Sequence, residues 1–135
     1  MRSFLIAMTS VLTFGCLVSE SAAKPITYFC EIKSFSAGGW IPESGVYAVD
    51  TASKSVIVFD NFIRYANKEA LVAEVDSFGD KFYKFHWSLK LRAKGNKNLT
   101  ARYSARIHRE TRKLTISAFV GDDRSHRGLG KCNVQ

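Results

Sequence analysis

The sequence predicts an all-β protein, a small antiparallel meander that closes into a barrel of seven or eight strands. Residues Lys81–Ile107 alternate apolar and polar side chains in two long runs around a turn, which is typical of strands buried on one side only. Shorter runs before and after them are bounded by turn residues. A meander has exposed edges unless it closes, and a barrel removes them. A β-sandwich is the alternative fold.

Residues 1–23 carry the pattern of a secretory signal peptide. Arg2 gives a positively charged start, Phe4–Val18 is mostly apolar, and Ser21-Ala22-Ala23 is a small-residue cleavage site. Cleavage there leaves residues 24–135 as one β-barrel-like domain, a length that suits a single modest core. The sequence therefore predicts an exported protein, periplasmic or secreted, with no transmembrane span after cleavage.

Two other interpretations of this segment stay open. A membrane anchor needs about 20 apolar residues, and the run that starts at Phe4 is shorter and interrupted by polar residues. Lipid attachment at Cys16 would hold the protein at a membrane, although Thr13 and Phe14 are not the residues that usually precede a lipidated cysteine.

The predicted mature domain is strongly basic. The chain has 20 Lys and Arg against 12 Asp and Glu, and loss of Arg2 and Glu20 with the signal peptide leaves the net charge at +8. This charge favours an anionic lipid, a polysaccharide or an acidic protein as partner. Nucleic acid fits less well, because base-stacking aromatics should stand among the cations, and of the aromatics on the hairpin only Phe82 does. Charge that serves solubility alone is the alternative.

Cys30 and Cys132 are predicted to form a disulfide, since Cys16 leaves with the signal peptide and two cysteines of an exported chain generally pair. Closing a loop of about 100 residues is worth roughly 4–5 kcal/mol in the chain-entropy model. A thiol catalyst would need a CxxC spacing or a neighbouring histidine, and the sequence has neither beside these cysteines.

The first half of the domain contains four predicted strands, Thr27–Phe35, Gly45–Asp50, Ser55–Asp60 and Glu69–Ser77. The second and third are apolar on both faces, so the sequence does not decide which face is buried. Asn61–Asn67 fits either a strand extension or a helical turn. Glu69–Ser77 is a strand by its alternation, with a short helix as the alternative because it is rich in helix formers.

The second half begins with the hairpin Lys81–Ile107, which turns at Lys94-Gly95-Asn96-Lys97. A further strand is predicted over Lys113–Val120. The polar, glycine-containing stretch Gly121–Lys131 is predicted as a loop that leads to a short closing strand, Cys132-Asn133-Val134.

The polar face of the hairpin is a candidate anion-binding surface. Pairing Leu91 with Leu99 places Lys84 opposite Arg106, and like charges at cross-strand distance repel each other. Glu74 is expected beside Lys84, where it would relieve part of this repulsion. The anion-binding candidates are Lys84, Lys90, Arg92, Arg102 and Arg106. A solvated face without a ligand is the alternative.

Two further surfaces have competing interpretations. Tyr83, Phe85, Trp87 and Tyr103 crowd the inner face, where they either line a pocket for a small apolar ligand or simply fill the core. Trp40 and Ile41 are contact-loop candidates through which the protein could act as an inhibitor of a partner. The alternative is that they plug one end of the barrel.

No pattern in the sequence points to catalysis. His86 and His108 fall on the outward face, and His126 follows Asp122 and Asp123 without a recognised metal-ligand spacing. No nucleophile elbow or phosphate-binding loop is present. The sequence therefore predicts a binding protein that is not an enzyme and uses no metal or cofactor. Asn98-Leu99-Thr100 is a glycosylation sequon, relevant only in a eukaryotic source, and the oligomeric state is not predicted.

Overall fold

The computed structural model describes residues 24–36, 38–93, 95–121 and 124–135, together with Gly15. The predicted signal peptide apart from Gly15, including Cys16, lies outside the described residues, as do Asp122 and Asp123.

Eight strands and one short helix form a closed antiparallel barrel. In chain order the elements are β1 Ile26–Ser34, β2 Ser44–Asp50, β3 Ser55–Asp60, α1 Asn61–Asn67, β4 Leu71–Phe78, β5 Phe82–Ala93, β6 Lys97–His108, β7 Lys113–Val120 and β8 Arg124–Val134. Each strand pairs with the next, and β8 pairs with β1. The barrel, rather than the sandwich, is therefore confirmed, and each described strand has a paired neighbour on both sides.

The predicted disulfide lies in the middle of the seam between the first and last strands. Cys30 in β1 and Cys132 in β8 are direct cross-strand partners, and their sulfurs are 1.99 Å apart. Both side chains are buried. The covalent link and the β1–β8 hydrogen bonds thus close the barrel together.

Aromatic side chains fill the interior. The inward residues of β5 and β6 are those that the alternation predicted, and Tyr47 and Val58 settle the undecided faces of β2 and β3 because both are fully buried. The rings of Trp87 and Tyr103 stack with centroids 5.5 Å apart, and Tyr47 lies 5.5 Å from Phe85. The core therefore contains a cluster of packed aromatic rings, which the strands surround.

The expectation of a loop over Gly121–Lys131 was wrong, because β8 begins at Arg124 and runs to Val134. Its inward positions include Gly128 and Gly130, so the apolar alternation that identifies a strand is absent from the sequence. A Cβ on Gly128 would stand 2.8 Å from Ile41 and 3.0 Å from Ile32, and one on Gly130 would stand 2.9 Å from a β1 carbonyl. Glycine is needed here because neighbouring atoms occupy the space that a side chain would fill.

The end of the barrel where β3 finishes is covered by α1 and by the loop that contains Trp40. Of the two alternatives for Asn61–Asn67, the helix is the one formed, because the Asp60 carboxylate accepts a hydrogen bond of 2.8 Å from the Ile63 N–H and caps it. Ile63 and Ile41 are buried, and the Trp40 carbonyl accepts a hydrogen bond from the Tyr103 hydroxyl. Among the described residues, no helix is long and apolar enough to cross a membrane.

Candidate functional site

The outward face of the β5–β6 hairpin presents five exposed cations. We call them the basic stripe: Lys84, Lys90, Arg92, Arg102 and Arg106. The predicted register is confirmed, since Lys84 pairs with Arg106 and Ser88 pairs with Arg102. At about 3.4 Å per residue the stripe extends roughly 27 Å along β5. The long hairpin therefore holds a row of like charges in a fixed arrangement.

The expectation that Glu74 lies beside Lys84 was wrong. The β4–β5 ladder shifts between Val75 and Ser77, so Ser77 pairs with Lys84 and Glu74 pairs with His86. The extra residue at this β-bulge is Asp76, and a bulge of this kind redirects a side chain. Two carboxylates are thereby brought to one imidazole, instead of one carboxylate to a lysine.

His86 is held between these two carboxylates. Its Nε2 lies 2.9 Å from Glu74 Oε2, and its Nδ1 lies 2.7 Å from Asp76 Oδ1. A protonated imidazole can donate from both nitrogens, whereas the neutral ring carries only one N–H. Each ring nitrogen of His86 is therefore in contact with one acidic side chain. The sequence placed His86 outward, which is correct, but gave no sign of the bulge that surrounds it with acids.

The cations of the basic stripe remain available to a ligand. Within the described residues, His86 makes the only contacts between a basic and an acidic side chain. The Arg106 guanidinium lies over the Phe82 ring, 4.9 Å from its centroid, a favourable contact that leaves the charge unneutralised. An incoming anion would thus relieve the repulsion between Lys84 and Arg106 without having to displace a carboxylate.

A shallow groove runs along the outer side of β6 beside the stripe. One depression, of 410 Å³, is floored by the Trp87–Tyr103 pair, and its walls include Asp76, His86, Ser88, Arg102, Ser104 and Phe119. A second, of 380 Å³, is lined by Asn98, Leu99, Thr100, Arg102 and Gly121. Since both contain Arg102, we treat them as one feature, the β6 groove. Phe119 is 47% exposed and pairs with Arg102.

The barrel interior is not wholly apolar. In the described part of the chain, the Tyr47 hydroxyl, Asp60 Oδ2 and Trp87 Nε1 are buried without a hydrogen-bond partner, as is His126 Nδ1. Burial raises the pKa of the Asp60 carboxyl. Burial, with the nearby Asp60 charge, also raises the pKa of the Tyr47 and Tyr103 hydroxyls far above its ordinary value. Burial thus favours the protonated form of the carboxyl and of both hydroxyls.

The raised pKa of Asp60 predicts that the folded state loses stability as the pH rises. A carboxyl that is easier to protonate in the folded state stabilises it fully below the unfolded-state pKa of about 3.9, and this contribution is lost as pH rises through the folded-state pKa. Asp60→Asn keeps a side-chain oxygen for the Ile63 N–H but does not titrate. We therefore expect the free energy of unfolding of the wild type, relative to Asp60→Asn, to decrease above about pH 4.

Urea denaturation of both proteins across a pH series measures this difference, and groups common to both proteins cancel. A difference that stays constant, or that grows in favour of the wild type as pH rises, would show that burial does not control the Asp60 carboxyl.

The remaining candidates do not belong to the stripe. Ile41 is buried and Trp40 half-buried, so the loop packs as an end cap of the barrel. His108 Nδ1 accepts hydrogen bonds from the backbone N–H groups of Glu110 and Thr111 in the β6–β7 turn. His126 is buried in β8. No group of three metal-ligating side chains occurs in the part of the chain that the structure describes.

Comparison of the chain with protein-family models, with curated proteins and with solved structures finds no match. Function is therefore inferred from the geometry of this chain alone.

Proposed function

We propose that this is an exported binding protein that engages an anionic surface or partner through the basic stripe, without catalysing a reaction. The observation that carries the proposal is the row of five exposed cations on one face, none of which forms an ion pair with a described carboxylate. The nearest acids, Glu74 and Asp76, are engaged by His86 instead.

The basic stripe is an exposed row of charges, so it suits electrostatic attraction of an anion more than enclosure of a small ligand. The cations project from a regular two-stranded ladder, so little backbone ordering is needed before an anion binds. The net charge of +8 attracts anions over a longer range. Binding through exposed charges should weaken with salt, because screening acts over about 8 Å at physiological ionic strength.

The same features favour this proposal over the two alternatives. A carrier of a small apolar ligand needs space inside the barrel, where Tyr47, Phe85 and Trp87 pack against one another. The buried polar atoms among these rings also suit an apolar guest poorly. An inhibitor acting through the Trp40 loop would present Ile41, yet that side chain is buried.

Reversing the charge of one cross-strand pair of the stripe should abolish most of the binding. We expect Lys84→Glu with Arg106→Glu to lower affinity for a sulfonate cation-exchange matrix at least about tenfold, since each cation near an anionic surface contributes about 1 kcal/mol. Retention across a salt series measures the effect, and thermal unfolding checks the fold. Both residues are exposed, so we expect little loss of stability.

The matched control is Lys24→Glu with Lys33→Glu. It changes the net charge by the same amount at two exposed positions next to and within β1, four strands from β5 in either direction around the barrel. The control should lose far less retention. Equal elution of the two folded double variants would show that net charge, and not the stripe, attracts the anion.

A further inference from the structure

An exposed aromatic ring stands beside a cation in the β6 groove. Phe119 points outward from β7 and is the cross-strand partner of Arg102. The other walls carry mainly hydroxyl and amide groups, from Ser88 and Ser104 in one depression and from Asn98 and Thr100 in the other. An apolar ring, a guanidinium and several neutral hydrogen-bonding groups therefore share one surface.

The shape of the groove indicates an extended ligand. From Asn98 to Ser104 the outer side of β6 measures about 20 Å at 3.4 Å per residue. The groove is shallow and open, whereas sites for small molecules generally bury most of their ligand. One side of a chain several units long would fit along it.

We propose that the β6 groove binds an extended acidic polysaccharide, with Phe119 packed against a sugar ring and Arg102 bound to a carboxylate or sulfate. This inference rests on the proposed function, because Arg102 belongs to the basic stripe. It deepens that function by naming the class of anion.

Phe119, Arg102 and the two serines of the groove each match a feature of such a polymer. The C–H face of a sugar ring is apolar, so the exposed Phe119 ring would bury it. Arg102 can donate two parallel hydrogen bonds to a carboxylate or sulfate. The hydroxyls of Ser88 and Ser104 both donate and accept hydrogen bonds, as sugar hydroxyls do. The hydroxyl and amide groups that flank Arg102 suit a chain whose charges are separated by hydroxyl-rich units.

Other polyanions fit less well. A single-stranded nucleic acid carries a phosphate at every nucleotide and is usually held by successive stacked bases, but Phe119 is the one exposed Phe, Tyr or Trp ring in the described groove walls. A bilayer surface would contact the protruding cations and leave the groove between them unused.

The test compares ring and charge in the same site. Titrate the wild type, Phe119→Ser and Phe119→Tyr with a size-fractionated oligogalacturonate, and measure the retention of each on the sulfonate matrix, which has no sugar ring. We expect Phe119→Ser to lose about tenfold in affinity for the oligosaccharide and to keep its retention on the matrix. Phe119→Tyr keeps the ring and should bind as the wild type does.

Phe29→Ser is the control, since Phe29 is 39% exposed on β1, two strands from β7 and three from β6, and this variant should bind normally. Unchanged oligosaccharide affinity in Phe119→Ser would overturn the polysaccharide proposal while leaving the stripe intact. So would tighter binding of the wild type to a single-stranded oligonucleotide, or to phosphatidylglycerol vesicles, than to the oligosaccharide. Failure of the wild type to bind either the oligosaccharide or the matrix would instead refute the proposed function itself.

Discussion

Replacing both Cys30 and Cys132 with alanine is expected to lower the free energy of unfolding by about 4–5 kcal/mol, roughly a thousandfold or more in the folding equilibrium. The two residues are separated by 102 positions, so the disulfide removes a large closure entropy from the unfolded chain. It also lies within the β1–β8 ladder, which joins the two strands that are farthest apart in the sequence. The seam should therefore be the part of the barrel that depends most on the covalent link.

Urea denaturation of the wild type, the double alanine variant and the reduced wild type separates the two contributions. The reduced protein keeps both buried side chains and loses only the link, so it should account for most of the difference. A loss below about 1 kcal/mol in the reduced protein would contradict the entropic role assigned to the disulfide.

Long, regular alternation made the hairpin the most predictable part of the fold. The apolar residues of β5 and β6 are separated by a short turn, so one register, Leu91 with Leu99, satisfies the whole ladder. β8 could not be found in the same way, because Gly128 and Gly130 give no side chain to the inward face. The sequence does not decide whether Asn61–Asn67 is helical, since the N-cap of α1, Asp60, is also the last residue of a strand.

The residues of the candidate site could be predicted wherever the alternation of inward and outward side chains along a strand decides their position. The five cations of the basic stripe share one parity, and Phe119 could have been found by the same rule, because it is out of phase with Leu114, Ile116 and Ala118 in β7. The acids around His86 could not, because one extra residue at the bulge changes which side chains are neighbours. A local irregularity in backbone pairing leaves no signature in hydrophobic periodicity.

The central claim is that the stripe's cations contact the bound anion, and its salt dependence should reveal them. Changing Lys84, Arg102 and Arg106 to glutamine removes three of these cations. Each contact releases about 0.7–0.9 counterions, so the plot of log affinity against log salt concentration should become less steep by roughly two. At low salt the affinity should fall about a hundredfold, at about 1 kcal/mol per cation.

The most direct measurement is therefore a titration with polyacrylate, a polyanion without sugar rings, at several salt concentrations. The wild type, the triple glutamine variant and a control with glutamine at Lys24, Lys33 and Lys54 are compared. These three lysines are exposed and lie outside the stripe. We expect the slope to be less steep by roughly two in the stripe variant and to change much less in the control. The same slope in all three proteins would contradict it.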